Sequence, residues 1–467
     1  MRIENLVIAV CIGFSPCAWG AEVLVHLKGQ ANLTQVNRFT DRTSRIDYVY
    51  NQLRGFANQS QAPVIRWLKA NHIRYRAFYI ENVILISHVS KRTLKTIANF
   101  PQVQSLSPNV YVRFKLAPGT IPAARQSSSA IPEHLRAITV DRVWQELNVK
   151  GRGIVVAGQD TGYYWEHEAL KTHYRGYAAG KATDHNYNWH DAVHTTNSPT
   201  PFDDTGHGTH TMGTMVGDDG GINKIGVAPE AQWIGCRNMD KGVGSLASYL
   251  ECFEFFLAPY PYGGDPRTTG RPDLAPHIVN NSWSCPTNEG CTGGELLGSV
   301  QALRAAGIFV VVAAGNHGPS CGSLSSAPAF YTKDLVSVGA YNRYSNEIAF
   351  FSARGPSSWT GEVAPHLVTY GDAILSSVVG GAGKYEEKMG TSMAAPQVAG
   401  VVALLWSAHP ELIGQIERTS EILRNSARPL LASESCPGFP GAKVPNVFFG
   451  YGMVDAYQAL QSANLTR

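Results

Sequence analysis

Residues 153–162 read Gly-Ile-Val-Val-Ala-Gly-Gln-Asp-Thr-Gly, a short apolar run that ends in a carboxylate and a glycine turn. Comparable apolar runs that end in Gly-, Asp- or Asn-rich turns lie at 233–235, 278–280 and 308–314. Helical stretches lie between the runs, at 245–257, 293–306 and 392–407. Continuous apolar strands that alternate with helices predict an α/β domain, with a mostly parallel central sheet and helices on both faces.

The region before this pattern, residues 22–114, has a different organisation. Strand-like runs lie at 22–27, in two pieces within 78–86, and at 103–114, and helical stretches lie at 41–71 and 91–100. This β-α-β-β-α-β order predicts a small ferredoxin-like α+β domain. Residues 117–132 are rich in Pro, Ala and Ser, which is typical of an exposed linker open to proteolysis.

The extreme N-terminal segment has the pattern of a secretory signal peptide. An apolar run at 6–14 follows Arg2, and small residues follow at Ala18, Gly20 and Ala21, so we expect cleavage after residue 20. The run is too short to span a bilayer, and we expect no other membrane-spanning segment. The alternative is a buried first strand of a cytosolic fold. We therefore expect a secreted, extracellular protein, with the periplasm and cell surface as alternatives.

Composition excludes several classes of protein. Hydrophobic residues make up 44% of the 467 residues, which argues against disorder. The net charge of +3 gives no electrostatic case for nucleic acid. We expect neither a nucleic-acid nor a membrane partner, and a monomeric protein.

Two of the eight cysteines, Cys11 and Cys17, lie in the predicted signal peptide. The six that remain suggest disulfides in an exported chain, although spacing does not fix the pairing. Cys285 and Cys291 flank a short loop and form the most favoured pair. Elimination would then give the other two pairs, Cys236 with Cys252 and Cys321 with Cys436. A zinc site is the alternative, but no CxxC or nearby His pair accompanies these thiols.

Chemically useful side chains follow the apolar runs, and the carboxyl ends of parallel strands are where active sites gather. Asp160 ends the first run, although Asp-Thr-Gly is also an ordinary turn sequence. His207 and His210 lie among small residues and could be metal ligands, yet no HExxH pattern is present. Ser392 follows Gly390 at the expected start of a helix, where it could equally be an N-cap.

Taken together, a serine, a histidine and a carboxylate suggest nucleophilic catalysis. A serine hydroxyl needs a base to take its proton, and a histidine can do so near neutral pH. A buried carboxylate then fixes the imidazole tautomer and stabilises the imidazolium.

Five ordered segments carry a resemblance to a known family: GIVVAGQDTG (153–162), DDTGHGTHTMGTMVG (203–217), IVNNSWS (278–284), VVVAAGNHG (310–318) and GTSMAAPQVAG (390–400). They closely resemble the motifs of subtilisin-like serine proteases, whose triad also has the order Asp, His, Ser. CRNMDKGVGS (236–245), NNSWSCP (280–286) and AAGNHGPSCG (313–322) are similar to bacillopeptidase F-type members. The resemblance covers about residues 133–460.

The resemblance implies a residue-by-residue mechanism. Asp160, His207 and Ser392 match the catalytic triad, and His210 matches a structural histidine. Asn316 matches the amide of the oxyanion hole, acting with the backbone N–H of Ser392. No cofactor is implied for the chemistry.

The resemblance also implies how substrate binds. Ser282, Trp283 and Ser284 match the edge segment that pairs with an extended substrate backbone. Trp283 and Ser284 replace a smaller apolar residue and a glycine of many relatives, so we expect a differently shaped first specificity pocket.

The loop between Val216 and Gly226 resembles the calcium loop of the family in length only, and a structural calcium ion there is possible. The candidate ligands there are Asp218, Asp219 and Asn223, few oxygens for an ion that prefers six to eight. Asp203 and Asp204, just before His207, could bind an ion or tune substrate charge, but we expect them to be solvated turn residues.

The resemblance divides the chain into a signal peptide (1–20), an inhibitor-type propeptide (21–115), a linker with a maturation site (116–132) and a catalytic domain (133–467). The implied protein is a secreted zymogen that matures to a serine endopeptidase acting on proteins or peptides, with its own propeptide as chaperone and inhibitor. Three alternatives remain: a catalytically silent binding protein, a serine esterase, and a metal hydrolase using His207 and His210. The esterase would need a GxSxG elbow and a different residue order.

Overall fold

The computed structural model describes residues 22–114 and 131–465, so the predicted signal peptide and most of the predicted linker lie outside the described residues. The small domain contains strands β1 (Val23–Leu27), β2 (Tyr75–Phe78), β3 (Val83–Ile86) and β4 (Val103–Pro108), and helices α1 (Arg42–Ala70) and α2 (Lys91–Ala98). The sheet has the order β2-β3-β1-β4, and every pair is antiparallel. This arrangement confirms the ferredoxin-like prediction.

The large domain follows a short strand β5 (Tyr111–Arg113). Its strands are β6 (Val155–Asp160), β7 (Trp189–Asp191), β8 (Gln232–Arg237), β9 (Met239–Asp240), β10 (Val243–Ser245), β11 (Ile278–Asn281), β12 (Cys285–Pro286), β13 (Phe309–Ala313), β14 (Ser326–Ala327), β15 (Val336–Asn342), β16 (Glu347–Ile348), β17 (Leu367–Tyr370), β18 (Ile374–Ser377) and β19 (Tyr385–Lys388). Its helices are α3 (Glu133–Ala137), α4 (Val140–Glu146), α5 (Glu168–Lys171), α6 (His207–Val216), α7 (Leu246–Leu257), α8 (Leu297–Ala305), α9 (Thr391–Ala408), α10 (Ile416–Ser426) and α11 (Ala456–Leu465).

The central sheet has eight strands in the order β16-β15-β13-β11-β6-β8-β7, with β17 also paired to β15. All neighbours are parallel except β16, which runs antiparallel at one edge. The mostly parallel sheet predicted from the apolar runs is therefore confirmed.

Helices cover both faces of this sheet because side chains alternate along each buried strand. In β13, Phe309 and Val311 pack into the core that contains α6 and α9. Val310 and Val312 point to the opposite face and join the core that contains α7 and α8. The strands are apolar on both sides, which explains why they read as continuous apolar runs.

Helix α9 corrects one expectation about membranes. It is long and apolar enough to cross a bilayer by length and composition, whereas no such segment was expected beyond the signal peptide. Most of it is buried against β11, β13 and β15, as in the core helix of a globular domain.

The six described cysteines form three disulfides, and the pairs are those named above from the sequence. Their Cα–Cα distances are 5.7 Å for Cys236–Cys252, 5.9 Å for Cys285–Cys291 and 5.8 Å for Cys321–Cys436.

The small domain packs against the α7–α8 face of the large domain. Residues of α1, including Ile46, Val49 and Leu53, belong to the same buried apolar cluster as α7 and α8. Strand β5 then leaves the small domain and pairs antiparallel with β10, with Val112 opposite Gly244. This connection carries the chain from the small domain into the cleft described below.

Candidate active site

Asp160 and His207 are joined where β6 ends and α6 begins. Nδ1 of His207 donates to Oδ1 of Asp160 at 2.7 Å, since a carboxylate can only accept. Both residues are buried, and the same Asp160 oxygen accepts from the backbone N–H of Thr161 at 2.7 Å. The contact fixes the imidazole with its proton on Nδ1 and leaves Nε2 able to accept a proton.

A glycine permits the close approach of these two elements. A Cβ on Gly208 would lie 2.1 Å from the carbonyl oxygen of Gly162 and 3.0 Å from Cβ of Asp160. Any larger residue would push α6 away from the end of β6 and lengthen the contact between His207 and Asp160.

Ser392 is the second residue of α9, and its first-turn N–H has no partner within the helix. Its Oγ donates to the carbonyl oxygen of Ser282 at 3.0 Å, while Nε2 of His207 makes no hydrogen bond to the described residues. Two members of the predicted triad are thus hydrogen-bonded to each other, and the hydroxyl of the third is turned to Ser282.

Asn316 is held by the residue that precedes Ser392. Its Oδ1 accepts from the N–H of Thr391 at 3.0 Å and from Oγ1 of Thr391 at 2.9 Å. Because a backbone N–H can only donate, the amide oxygen is the bonded atom, and Nδ2 remains as the donor available to a ligand.

The cleft around Ser392 is a cavity of about 280 Å³. Its lining includes Ser282, Trp283, Ser284, Asn316, Ser392 and Glu289 from the large domain, together with Arg113 and Phe114 from the small domain. Trp283 is buried and stacks on Tyr249, with ring centroids 4.0 Å apart. The predicted substrate-binding segment therefore lies beside the serine, with the indole built into the wall.

Phe114 stands directly over the imidazole. The ring centroids of Phe114 and His207 are 4.1 Å apart, and the N–H of Phe114 donates to the carbonyl oxygen of Gly242 at 2.7 Å. In the described structure the extended chain pairs with β10, an edge that no sequence pattern predicted. Gly-Val-Gly-Ser at 242–245 carries too little alternation to predict a strand.

Asp203 anchors the site and was missed as a functional residue. Its Oδ1 accepts from Oγ1 of Thr161 and the N–H of Gly206, both at 2.8 Å. Its Oδ2 accepts from the N–H of Thr209 at 2.9 Å. The carboxylate therefore ties the end of β6 to the first turn of α6, instead of lying in the solvated turn that we expected.

Asp204 lies in the exposed turn that we expected, and its carboxylate also pairs with a buried cation. Its Oδ2 accepts from Nη2 of Arg237 at 2.6 Å, and Arg237 is fully buried. The favourable field of three nearby aspartates, Asp191, Asp204 and Asp240, compensates the burial of this guanidinium.

His210 has a structural environment. Its Nε2 lies 2.9 Å from the carbonyl oxygen of Ile374 and 3.1 Å from that of Glu386. Burial lowers the pKa of His210 well below its usual value, which keeps the ring neutral. Among the described residues, neither His207 nor His210 belongs to a group of three potential metal ligands, so the structure gives no support to the metal-hydrolase alternative.

The predicted calcium loop is closed by its own hydrogen bonds. Asp219 accepts from the N–H of Gly221 at 2.7 Å and from Nδ2 of Asn223 at 2.7 Å, and Asp218 accepts from the N–H of Gly220 at 2.8 Å. An amide nitrogen, not an oxygen, thus faces Asp219. This arrangement does not fit a converging set of oxygen ligands, and calcium binding here stays a prediction.

The fold and these motifs define an α/β domain with a buried Asp–His pair and a serine at a helix start. Residues 151–453 match the Subtilase family (Peptidase_S8), and the chain belongs to this family. It is 36% identical over 439 residues to bacillopeptidase F of Bacillus subtilis (strain 168), an alignment that covers 89% of this chain and 28% of that protein.

Two further relatives are also proteases by name. Serine protease AprX of Bacillus subtilis (strain 168) is 31% identical over 300 residues, covering 59% of this chain and 61% of AprX. Intracellular serine protease of Paenibacillus polymyxa is 30% identical over 319 residues, covering 65% of this chain and 84% of the relative. The chain thus spans less than two thirds of the length of bacillopeptidase F and of AprX.

Proposed function

We propose that this chain is a serine endopeptidase that hydrolyses peptide bonds through an acyl-enzyme, with Asp160, His207 and Ser392 as the triad. The single observation that carries the proposal is the buried 2.7 Å hydrogen bond between Asp160 and His207. Phe114 connects this pair to Ser392, because its ring lies 4.1 Å from the His207 ring and also lines the cavity around Ser392. Membership of the Subtilase family supports it.

The chemistry follows from the orientation of each group. Rotation of the Ser392 side chain away from Ser282 brings Oγ to Nε2 of His207, which takes its proton as Oγ attacks the substrate carbonyl carbon. The N–H of Ser392 and Nδ2 of Asn316 then donate to the oxyanion. His207 returns the proton to the leaving amine, and a water molecule repeats the sequence on the acyl-enzyme.

The small domain acts as an inhibitory propeptide in this proposal. Its β5 occupies the edge of β10, and Phe114 covers His207, so a substrate cannot enter while it is bound. Edge pairing of this kind provides affinity through main-chain hydrogen bonds.

Two buried carboxylates strengthen the contact between the domains. Glu81 of the small domain accepts from the N–H of Ser299 in the first turn of α8. Glu254 of α7 accepts from the N–H groups of Tyr79 and Ile80 in the small domain, the latter at 3.1 Å. Each carboxylate thus accepts hydrogen bonds from backbone N–H groups of the other domain.

The maturation cut falls in the linker in this proposal. The described part of the small domain ends at Phe114 in the cleft, and the described part of the large domain begins at residue 131. We place the cut between Lys115 and Pro132, in the predicted linker (116–132) that joins the propeptide (21–115) to the catalytic domain (133–467).

The proposal includes secretion of the protein. Three disulfides among the described cysteines favour an oxidising compartment and thus the secreted location that the N-terminal pattern predicts.

Intact mass of the secreted protein, before and after a fluorophosphonate, tests this function. Wild type should begin at a residue within 116–132 and gain one adduct, whereas Ser392→Ala should keep the small domain and gain none. Labelling of Ser392→Ala would show that another residue is the nucleophile. A wild-type protein that is processed but unlabelled would show that the triad is not assembled.

A further inference from the structure

Three potential metal ligands converge on the large domain, away from the cleft. Nε2 of His190 and Nε2 of His194 each lie 2.7 Å from Oε1 of Glu251. Their nearest ligand atoms all lie within 4.8 Å of one another, and among the described residues no other group of three or more His, Cys, Asp or Glu side chains meets this condition.

The ligand chemistry suits a divalent transition metal. Two imidazoles and one carboxylate form a known zinc ligand set, with bonds of about 2.0–2.2 Å. Tetrahedral bonds of that length place donor atoms roughly 3.4 Å apart, so each 2.7 Å contact would need to open by less than about 1 Å. The cation would replace the protons that now join the histidines to Glu251.

Neighbouring residues hold the ligands in place. His190 lies in β7, stacks on Phe255 with ring centroids 5.4 Å apart, and has Nε2 3.0 Å from the hydroxyl oxygen of Tyr260. Glu251 lies in α7 and is buried, whereas His194 follows β7 and is exposed. Two rigid ligands and one accessible ligand leave a route of entry for the ion.

The small domain masks this cluster. Arg76 of β2 forms an ion pair with Oε2 of Glu251, on the opposite side of the carboxylate from the histidines. A cavity of about 750 Å³ adjoins the cluster, and its small-domain wall includes Arg66 and Lys69 as well as Arg76. These three cations therefore repel a metal ion while the small domain is bound. When the small domain dissociates, all three cations are removed from the cluster.

We propose that His190, His194 and Glu251 form a site for a divalent transition metal of the zinc class, which Arg76 masks in the precursor and maturation exposes. The proposal rests on the proposed function only in requiring that the small domain is removed. Because metal and Arg76 compete for Glu251, the ion weakens rebinding of the cut small domain by linkage.

The test is Zn²⁺ binding to processed wild-type protein that has been blocked with a fluorophosphonate, treated with chelator and desalted. Isothermal titration at pH 7.5 should give one equivalent of tightly bound Zn²⁺, and Co²⁺ should give a visible absorption band that Zn²⁺ displaces. His194→Gln, at an exposed position, should weaken binding at least tenfold, and Glu251→Gln should do the same. His185→Gln, outside the cluster, is the matched control and should leave binding unchanged.

The masking is tested in the uncut precursor, Ser392→Ala. It should bind Zn²⁺ at least tenfold more weakly than processed protein, and adding Arg76→Ala should recover most of the difference. No binding to processed protein, or binding unchanged by His194→Gln, would overturn the site. Equal binding to precursor and processed protein would overturn the masking. Fluorophosphonate labelling in the same samples reports on the proposed function separately.

Discussion

The ring of Phe114, the last described residue before the linker, lies 4.1 Å from the imidazole of His207, measured between centroids. The contact joins the small domain to the proposed catalytic base, and it covers the face that substrate would approach. Burial of one aromatic ring against another contributes about 1–3 kcal/mol to the free energy of association.

We expect Phe114→Ala to weaken inhibition of the processed enzyme by added small domain about tenfold or more. The inhibition constant measured with a peptide substrate checks this. Arg113→Ala is the matched control, because that side chain is exposed on the same strand, and it should change the constant less than about threefold. Equal effects of the two substitutions would show that main-chain pairing with β10, not the ring, provides the affinity.

Asp160→Asn should lower kcat by about four orders of magnitude with little change in fold. An asparagine NH₂ would face Nδ1 of His207 and stabilise the tautomer whose Nε2 carries the proton, so Nε2 could no longer accept from Ser392. Steady-state kinetics on a peptide amide would measure the loss, and an unchanged melting temperature would establish the fold. A loss of less than tenfold would remove Asp160 from the proposed triad.

Asp203→Asn should lower kcat by about 10- to 100-fold, since small displacements of a catalytic group have effects of this size. The carboxylate holds Thr161, beside Asp160, against the first turn of α6, so its replacement loosens the position of His207. Asp204→Asn is the control, because Asp204 binds Arg237 and not the triad elements. It should lower the melting temperature but leave kcat within about twofold.

The affinity of the small domain for the processed enzyme should depend on pH because of Glu81. Burial between the domains, together with nearby Glu295, raises the pKa of Glu81 to about 8 against the opposing hydrogen bond from Ser299. The free small domain should ionise Glu81 near its ordinary value of about 4.3. Association thus favours the protonated form, so affinity should fall as pH rises from about 5 to 8 and level off above.

Glu81→Gln tests this assignment, because glutamine keeps an acceptor oxygen and cannot ionise. We expect it to bind at least tenfold more tightly than wild type at pH 8 and about equally at pH 5, in inhibition assays on processed enzyme. Weaker binding of Glu81→Gln at pH 8 would instead show that an ionised carboxylate at the start of α8 is the stabilising species.

The disulfides should differ in their effect on stability because they close loops of different length. Cys321 and Cys436 are 115 residues apart and Cys285 and Cys291 are 6 apart, so chain entropy predicts contributions of about 5 and about 2 kcal/mol. Paired Cys→Ala substitutions in the Ser392→Ala background, which prevents autolysis, allow the comparison by urea unfolding. A larger loss from the short loop would contradict the entropic account.

Local sequence determined the elements and the site motifs of this protein. Apolar runs buried on both sides predicted the parallel sheet, and the carboxyl ends of β6 and the starts of α6 and α9 carry Asp160, His207 and Ser392. The short loop between Cys285 and Cys291 indicated one disulfide, whereas spacing left the pairing of the other four cysteines open. Each of these signals lies within a few neighbouring residues.

Tertiary structure alone decided which distant side chains meet. Arg76 and Glu251 are 175 residues apart, and nothing in the local periodicity of β2 or α7 specifies their ion pair. Asp203 was assigned to a turn because its partners, Thr161 and Thr209, come from two different elements. The docking of Phe114 on His207 likewise depends on how the two domains pack. Such contacts form when the packing of buried faces brings separate elements together. The type of each residue does not by itself specify which distant residue it will contact.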